Sequence, residues 1–151
     1  MRRDLVQLPP VPEWPDGIVV RGFDAKRDAA AVHALLERAY ANGGGSVADF
    51  DVWLPLMTGD SEYDPELWFV ADGGGVAGVA INWTSAFVKD LAVDKAWRGR
   101  GLGTALLRHT MHAFAARGAV ALDLKVEADN PSGAVRLYER EGFRLVERLR
   151  P

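Results

Sequence analysis

The sequence has no cysteine, no long hydrophobic run and no excess of positive charge. The absence of cysteine excludes a disulfide scaffold, a thiolate nucleophile and zinc sites built on thiolates. No segment approaches the roughly 18 consecutive apolar residues of a membrane span. The formal net charge of -3 over 151 residues gives no general attraction for nucleic acid. We therefore expect a cytoplasmic protein whose partners include neither a membrane nor a nucleic acid.

The first 16 residues are rich in proline, and Pro9, Pro10, Pro12 and Pro15 exclude a helix there. This segment also lacks an apolar stretch of the length found in signal peptides. We predict that residues 1–16 form an N-terminal arm and that residues 17–151 form one domain. A domain of this length can bury a substantial core.

Strand and helix signals alternate along the predicted domain, and three consecutive strands in its middle favour an antiparallel meander. Asp24 or Asp28 is the expected cap of the first helix. The pattern predicts strands at 17–23, 64–72, 76–85, 86–94, 119–128 and 143–151, and helices at 24–40, 46–57, 101–118 and 130–142. The fold class is therefore α/β, with a mixed sheet (the meander, then a β-α-β unit) flanked by about four helices.

The segment "AWRGRGLG", residues 96–103, places a glycine at every second position directly before a predicted helix. The start of a helix has unpaired N–H groups and about half a unit of positive charge. Glycines allow close approach of a bulky anion, and Arg98 and Arg100 add charge. This pattern predicts phosphate binding, although a glycine-rich turn that is merely tight has the same appearance.

Two kinds of nucleotide site do not fit this loop. A P-loop requires Gly-Lys followed by Ser or Thr, whereas here Gly103 precedes Thr104 without a lysine. A dinucleotide-binding fold places the loop after its first strand and an acidic residue about 20 positions on. Here a meander precedes the loop, and Asp123 lies inside a predicted strand rather than at its end.

The segment "LAVDKAWRGRGLGTALL" resembles the coenzyme-A loop of the acetyl-CoA-dependent N-acetyltransferase (GNAT) superfamily, because Arg98, Gly101 and Gly103 fit its Arg/Gln-x-x-Gly-x-Gly/Ala pattern. A second segment, "VEADNPSGAVRLYEREGF", resembles a later motif of the same family. Its matching residues are Asn130, Ala134, Leu137, Tyr138, Gly142 and Phe143. The layout "WPDG...F..RD...DP.LWFVA", followed by "DNPSGA", is most similar to mycothiol-synthase-like members.

The resemblance implies a GNAT fold in which the strand ending at Val93 separates from the next parallel strand and coenzyme A lies between them. It implies acetyl-CoA as cosubstrate and no metal. The residues implied in binding are Leu91, Ala92 and Val93 for the pantetheine arm, Arg98, Gly99, Arg100, Gly101, Leu102, Gly103 and Thr104 for the pyrophosphate, and Asn130 for the pantetheine or acyl region.

The implied reaction is direct attack by a primary amine of a small molecule or peptide on the acetyl group in a ternary complex. Tyr138 is implied as the general acid for the leaving thiolate, and a main-chain N–H near Val93 as the oxyanion donor.

The base is less defined, because Lys89 and Lys125 stand where some relatives have a glutamate. Asp90 and Glu127 are the candidate bases, Asp123 is a further acid nearby, and water can carry the proton instead. These lysines also leave a second function class open, a non-catalytic acyl-CoA-binding or regulatory module.

His109 and His112 have a spacing found in metal sites, but no third ligand accompanies them, so we expect ordinary histidines.

Many family members end with two antiparallel strands, whereas only one is predicted here. An unpaired sheet edge would otherwise be exposed, so we expect the last strand to fill the vacancy alone or a neighbouring subunit to complete it, as in a homodimer.

Overall fold

The computed structural model describes residues 1–43, 45–126 and 134–146. The strands in these ranges are β1 (Arg2–Asp4), β2 (Val19–Arg21), β3 (Trp68–Asp72), β4 (Val76–Trp83), β5 (Phe87–Val93) and β6 (Ala121–Leu124). The helices are α1 (Ala25–Ala39), α2 (Phe50–Thr58), α3 (Leu102–Ala116) and α4 (Ala134–Arg140). The strands form one sheet in the order β1-β6-β5-β4-β3-β2. Only the β5–β6 pair among them is parallel, so the predicted mixed α/β sheet is confirmed.

The first helix follows its sequence signals closely. The Asp24 carboxylate accepts hydrogen bonds from the N–H groups of Lys26 and Arg27, at 3.0 and 3.3 Å, and so caps α1. The second helix begins at Phe50 rather than at residue 46. The predicted strand at 64–72 begins only at Trp68, because Asp64 caps a short 3₁₀ turn that precedes it.

Helices cover both faces of the sheet. Helices α1 and α2 pack on one face around buried residues that include Leu36, Trp53 and Trp68. Helices α3 and α4 lie on the other, where Phe114 and Tyr138 belong to a second apolar cluster. Among the described residues, no helix has both the length and the apolar character needed to cross a bilayer.

The strand beside β6 is the main difference from the sequence-based expectation. Strand β1, at the start of the predicted arm, pairs with β6 in antiparallel register, with Arg2 opposite Asp123. The Arg2 guanidinium also donates two hydrogen bonds to the Asp123 carboxylate, at 2.7 and 3.1 Å. Strand β1 therefore takes the place beside β6 that the sequence analysis gave to the last strand. Of the predicted strand 143–151, residues 147–151 lie outside the described ones, and Arg144 forms an isolated bridge with Arg2 on the side away from β6. Completion of the sheet by a neighbouring subunit stays a prediction.

The two histidines of α3 hold the proline-rich segment against the domain. The His109 ring lies 5.6 Å from the Trp14 ring, centroid to centroid, and 4.5 Å from that of Phe69. The Nε2 atom of His112 donates to the Pro9 carbonyl at 2.8 Å. Both side chains therefore have packing roles in this fold.

Candidate active site

The parallel strands β5 and β6 separate shortly after they meet. Their pairing consists of Phe87 with Asp123 and Val88 with Leu124, whereas β5 continues to Val93. A cavity of about 510 Å³ lies in the resulting gap. The predicted separation of these two strands is confirmed.

Strand β5 turns toward this cleft main-chain groups that make no hydrogen bond to β4. Facing residues of an antiparallel pair alternate between positions that exchange hydrogen bonds and positions that do not. The Asp94 N–H donates to the Ala77 carbonyl at 2.8 Å, and Val93 faces Gly78. Val93, and Leu91 two residues before it, therefore direct their N–H and C=O groups away from β4 and into the gap.

A β-bulge at Lys89 changes which face of the sheet the β5 side chains reach. Ile81 pairs with Asp90 and the next residue, Asn82, pairs with Val88, so Lys89 is the extra residue. Without a bulge, Val88 and Ala92 would share a face. Instead Val88 packs with α3 and Ala92 with α1. The bulge therefore directs Asp90 toward the end of α1, beside the cleft.

The glycine loop has the backbone conformation that its sequence requires. Gly99 and Gly101 have φ values of +78° and +80°, in the left-handed region that side chains rarely adopt. Gly101 is the N-cap of α3 and provides no side-chain hydrogen bond to the helix. The first N–H groups of this 15-residue helix are therefore available to an anion at the cleft.

The third glycine permits close packing instead. Gly103 lies where an added Cβ would be 3.7 Å from both Leu137 and Val93. It thereby brings α4, the start of α3 and the end of β5 together. Of the two arginines in the loop, Arg98 lines the cleft, with Nε 3.5 Å from the Val93 carbonyl oxygen. Arg100 instead places its guanidinium over Trp97, 4.7 Å from the ring centroid.

The cleft is basic although the chain as a whole is acidic. Among the described residues that line it, Asp90 is the acidic one, and the cationic ones are Lys89, Arg98, Lys125, Arg136 and Arg140. This local excess of positive charge favours an anionic ligand in the cleft, which the negative net charge of the whole chain would not indicate.

Asp90 is a buried carboxylate at the inner part of the cleft, with 6% of its surface exposed. The Tyr40 hydroxyl donates to its Oδ1, and Lys89 Nζ lies 3.6 Å from its Oδ2. Burial raises the pKa of Asp90, an effect that Lys89 and the Tyr40 hydrogen bond only partly oppose. Such a carboxylate can accept a proton more readily than an exposed one.

Two tyrosines lie beside Asp90. Tyr138, from α4, is buried and lines the cleft, and burial together with the nearby Asp90 charge raises its pKa to about 12. Tyr40 directly follows α1, and burial with the Asp90 charge raises its pKa as well. Both hydroxyls therefore stay protonated at neutral pH and can donate.

The structure brings together most of the residues predicted for the site. Those lining the cleft are Asp90, Leu91, Ala92, Val93, Arg98, Gly99, Gly101, Leu102, Gly103, Thr104 and Tyr138. Glu127 and Asn130 lie outside the described residues. Asp123 is paired with Arg2 at the sheet edge and does not line the cleft. Sequence reasoning missed Tyr40, and its position just before a glycine-rich break, "ANGGGS", was its only signal.

Comparison with known proteins assigns the family. Residues 64–145 match the acetyltransferase (GNAT) domain family. The mycothiol acetyltransferase of Actinosynnema mirum is 35% identical over 95% of this chain. The chain belongs to the GNAT acetyltransferase family. It spans about half the length of the curated relatives it matches, because the alignment covers 50% of that protein and 52% of the mycothiol acetyltransferase of Thermobispora bispora.

Solved GNAT structures agree with this assignment. A GCN5-related N-acetyltransferase from Sphaerobacter thermophilus superposes with a TM-score of 0.77 and 34% identity, over 93% of this chain and 45% of the other. The ribosomal-protein-S18-alanine N-acetyltransferase of Escherichia coli, at 24% identity, has a TM-score of 0.66 over 86% of this chain and 79% of its own, and shows the shared fold. The GNAT resemblance seen in the two sequence motifs is thus confirmed.

Proposed function

We propose that this GNAT protein is an N-acetyltransferase, which transfers the acetyl group of acetyl-CoA to a primary amine of a small molecule or peptide. The observation that carries the proposal is the cleft between β5 and β6. Along it lie β5 main-chain groups that are not bonded to β4, and at its end lies the N-terminus of α3, where Gly101 gives no side-chain hydrogen bond. A long cosubstrate suits both features, because its amide-bearing arm can bond to the β5 main chain and its anionic end can bind at the start of α3.

The residues present fit coenzyme A. Leu91 and Val93 offer N–H and C=O groups to the two amides of the pantetheine arm. The N–H groups at the start of α3, together with Arg98, suit the pyrophosphate. Leu102, Gly103 and Thr104 are the first residues of that helix, and Thr104 adds a hydroxyl. The basic lining further favours a ligand with several negative charges.

Proton transfers on both sides of the reaction are assigned to the buried cluster. An alkylammonium of pKa near 10.4 must lose a proton before its nitrogen can attack. Asp90 is the described carboxylate in the cleft and, with its raised pKa, is suited to accept that proton directly or through water. Tyr138 stays protonated and donates to the departing thiolate.

Binding of the cosubstrate is tested by charge reversal at the helix start. In Gly101→Glu, a carboxylate stands at the N-terminus of α3, where it competes with a phosphate for the same N–H groups. We expect at least a 100-fold weaker Kd for acetyl-CoA by calorimetry. Gly118→Glu is the matched control, since it places the same residue at another left-handed glycine, of φ +89°, beyond the other end of α3.

Wild-type affinity in Gly101→Glu would overturn the placement of the cosubstrate.

Catalysis is tested by release of free thiol from acetyl-CoA over a broad panel of amines. We expect Tyr138→Phe to lower kcat about 100-fold, and Tyr63→Phe, which alters a tyrosine packed on Trp68, to leave it unchanged. Binding without turnover of any amine would favour a non-catalytic acyl-CoA module, and a Tyr138→Phe rate equal to wild type across pH would remove its acid role.

A further inference from the structure

Two lysines lie where β5 and β6 begin to separate, a point that we call the fork. Val88 and Leu124 form the last pair between β5 and β6. The next residue along the chain is a lysine in both cases: Lys89, the bulge residue of β5, and Lys125, directly after β6. Both are exposed and both line the cleft. The proposed function gives neither of them a task.

Both lysines lie directly after the last paired position of β5 and β6 and line the same cleft. Asp90, 3.6 Å from Lys89, is the acidic residue among the described residues of the lining. One carboxylate beside two ammonium groups leaves an excess of positive charge, which makes the fork a binding position for a negatively charged group.

The fork lies at the opposite end of the exposed β5 segment from the pyrophosphate site. The glycine loop follows the end of β5 after Val93, whereas Lys89 is the third residue of β5 and lies four residues before Val93. An anion at the fork is therefore not the pyrophosphate. It belongs to the acceptor side of the cleft, next to Asp90.

Asp90 supplies the complementary charge. Its Oδ2 lies 3.6 Å from Lys89 Nζ, while Tyr40 holds Oδ1. The cleft thus presents a negative pole for an ammonium group directly beside a positive pole for an anion. With Asp90 ionised, the two lysines and this carboxylate sum to +1, so a positive charge remains for a carboxylate of the ligand.

On this basis we infer that the acceptor is an amino acid, or a molecule with the same adjacent amine and carboxylate, whose carboxylate binds Lys89 and Lys125 while its amine faces Asp90. The inference rests on the proposed function and narrows its substrate class. It disfavours peptides, whose terminal amine has no adjacent carboxylate.

The chemical step balances without a further reactant. The ammonium gives one proton to Asp90, the nitrogen lone pair forms the N–C bond to the acetyl carbonyl, and the C–S bond breaks. Tyr138 gives its proton to the thiolate, the nitrogen's second proton restores the Tyr138 hydroxyl, and Asp90 later releases the first proton. The products are an N-acetylamino acid and coenzyme A, with one proton released to solvent.

Matched acceptor trios test the inference. One trio is made for each of leucine, methionine and phenylalanine. Each contains the L-amino acid, its amide and the corresponding amine that lacks the carboxylate. We expect kcat/KM for the amino acid to exceed that of both partners at least 10-fold. Lys89→Gln and Lys125→Gln should each abolish this preference, mainly by raising KM for the amino acid. Lys26→Gln, on the exposed surface of α1, is the matched control.

A binding measurement keeps the inference testable apart from turnover. Calorimetry with the N-acetylamino acids and the protein saturated with coenzyme A should show binding that Lys125→Gln weakens at least 10-fold. Equal use of amide and amino acid, or no binding of any N-acetylamino acid, would overturn the inference. Thiol release with other amines would meanwhile leave the proposed acetyltransferase function intact, whereas loss of acetyl-CoA binding or of all turnover would contradict that function itself.

Discussion

Asp28 and Asp90 are two buried carboxylates of one domain in opposite electrostatic situations. They are 2% and 6% exposed, so both are nearly closed to solvent, although Asp90 lies deeper in the protein. The Arg21 guanidinium donates to both oxygens of Asp28, at 2.6 and 2.9 Å, and the Asp24 N–H donates as well, at 2.9 Å. Among the described residues, Asp90 has one hydrogen bond, from Tyr40, and a lysine at 3.6 Å.

The number of donors decides the direction in which each pKa moves. Burial acts to raise the pKa of Asp28, but its hydrogen bonds with Arg21 and the Asp24 N–H outweigh burial and lower it. At Asp90 burial dominates, and the pKa is raised. A fully partnered carboxylate at the start of α1 stabilises the fold, whereas an under-partnered one in a cleft is suited to proton transfer.

The largest expected effect is that of Asp90→Asn. An amide cannot accept the proton of the acceptor amine, so we expect kcat/KM to fall about 100-fold or more. The acidic limb of the wild-type pH profile, along which Asp90 becomes protonated as pH falls, should disappear. Steady-state kinetics between pH 5 and 9 provide the measurement. Thermal stability should be retained, because a raised folded pKa means that ionised Asp90 opposes folding above its unfolded pKa.

Asp123→Asn is the control for this substitution, since it neutralises an acid on the neighbouring strand that does not line the cleft. Its kcat/KM should stay within about twofold of wild type. If Asp90→Asn were as active as Asp123→Asn, the proton would pass to water or to another group, and the contrast with Asp28 would lose its functional meaning.

The second effect is on stability. Asp28→Asn leaves Arg21 with an incomplete partner, and because that arginine is partly exposed we expect a loss of about 2 to 3 kcal/mol, below the range for fully buried pairs. Thermal unfolding should show it as a lower Tm, with kcat unchanged at temperatures where the variant is folded.

The same substitution predicts a pH dependence. Because the folded pKa of Asp28 is lowered, its stabilising contribution is present above the unfolded pKa of about 3.9 and is lost as pH falls through the folded pKa. Wild type and variant should therefore differ most near neutral pH and converge in acid. An equal difference at all pH values would show that the Arg21 pairing is not the source.

The smallest effect is expected for Tyr40→Phe. Its hydroxyl acts on the proton acceptor and not on substrate, so we expect a loss of about 5- to 10-fold in kcat, less than the full contribution of a hydrogen bond to a charged group. That hydrogen bond lowers the pKa of Asp90. Its removal should raise this pKa further and move the acidic limb to higher pH. A lower rate with an unmoved limb would assign Tyr40 a packing role only.

Much of the architecture could be predicted because its signals are local. Asp24 caps α1, and the pattern of Val32, Leu35 and Leu36 defines the buried face of that helix. The separation of β5 from β6 followed from the family motifs. Strand β1 was missed, because "RRD" has neither apolar alternation nor β-branched residues and its partner lies about 120 residues away.

The site was harder to predict because it depends on two nonlocal features. The alternation in "FVKDLAV" continues without interruption and gives no sign of the bulge at Lys89, which arises only against β4. Tyr40 meets Asp90 across 50 residues of sequence. Neither the bulge nor this contact produces a recognisable pattern in a short stretch of sequence, whereas the glycine loop does.

The pairing of β1 with β6 also affects how the protein folds during synthesis. Arg2 and Asp123 are 121 residues apart, and ribosomes add about 5 to 20 residues per second. The first strand therefore waits about 6 to 24 s for its partner to be made, and such long-range pairing is slow in itself. Until then the outer edge of the sheet is incomplete and can pair with other chains. A nascent chain of this protein is thus prone to pair with other chains until β6 has been synthesised.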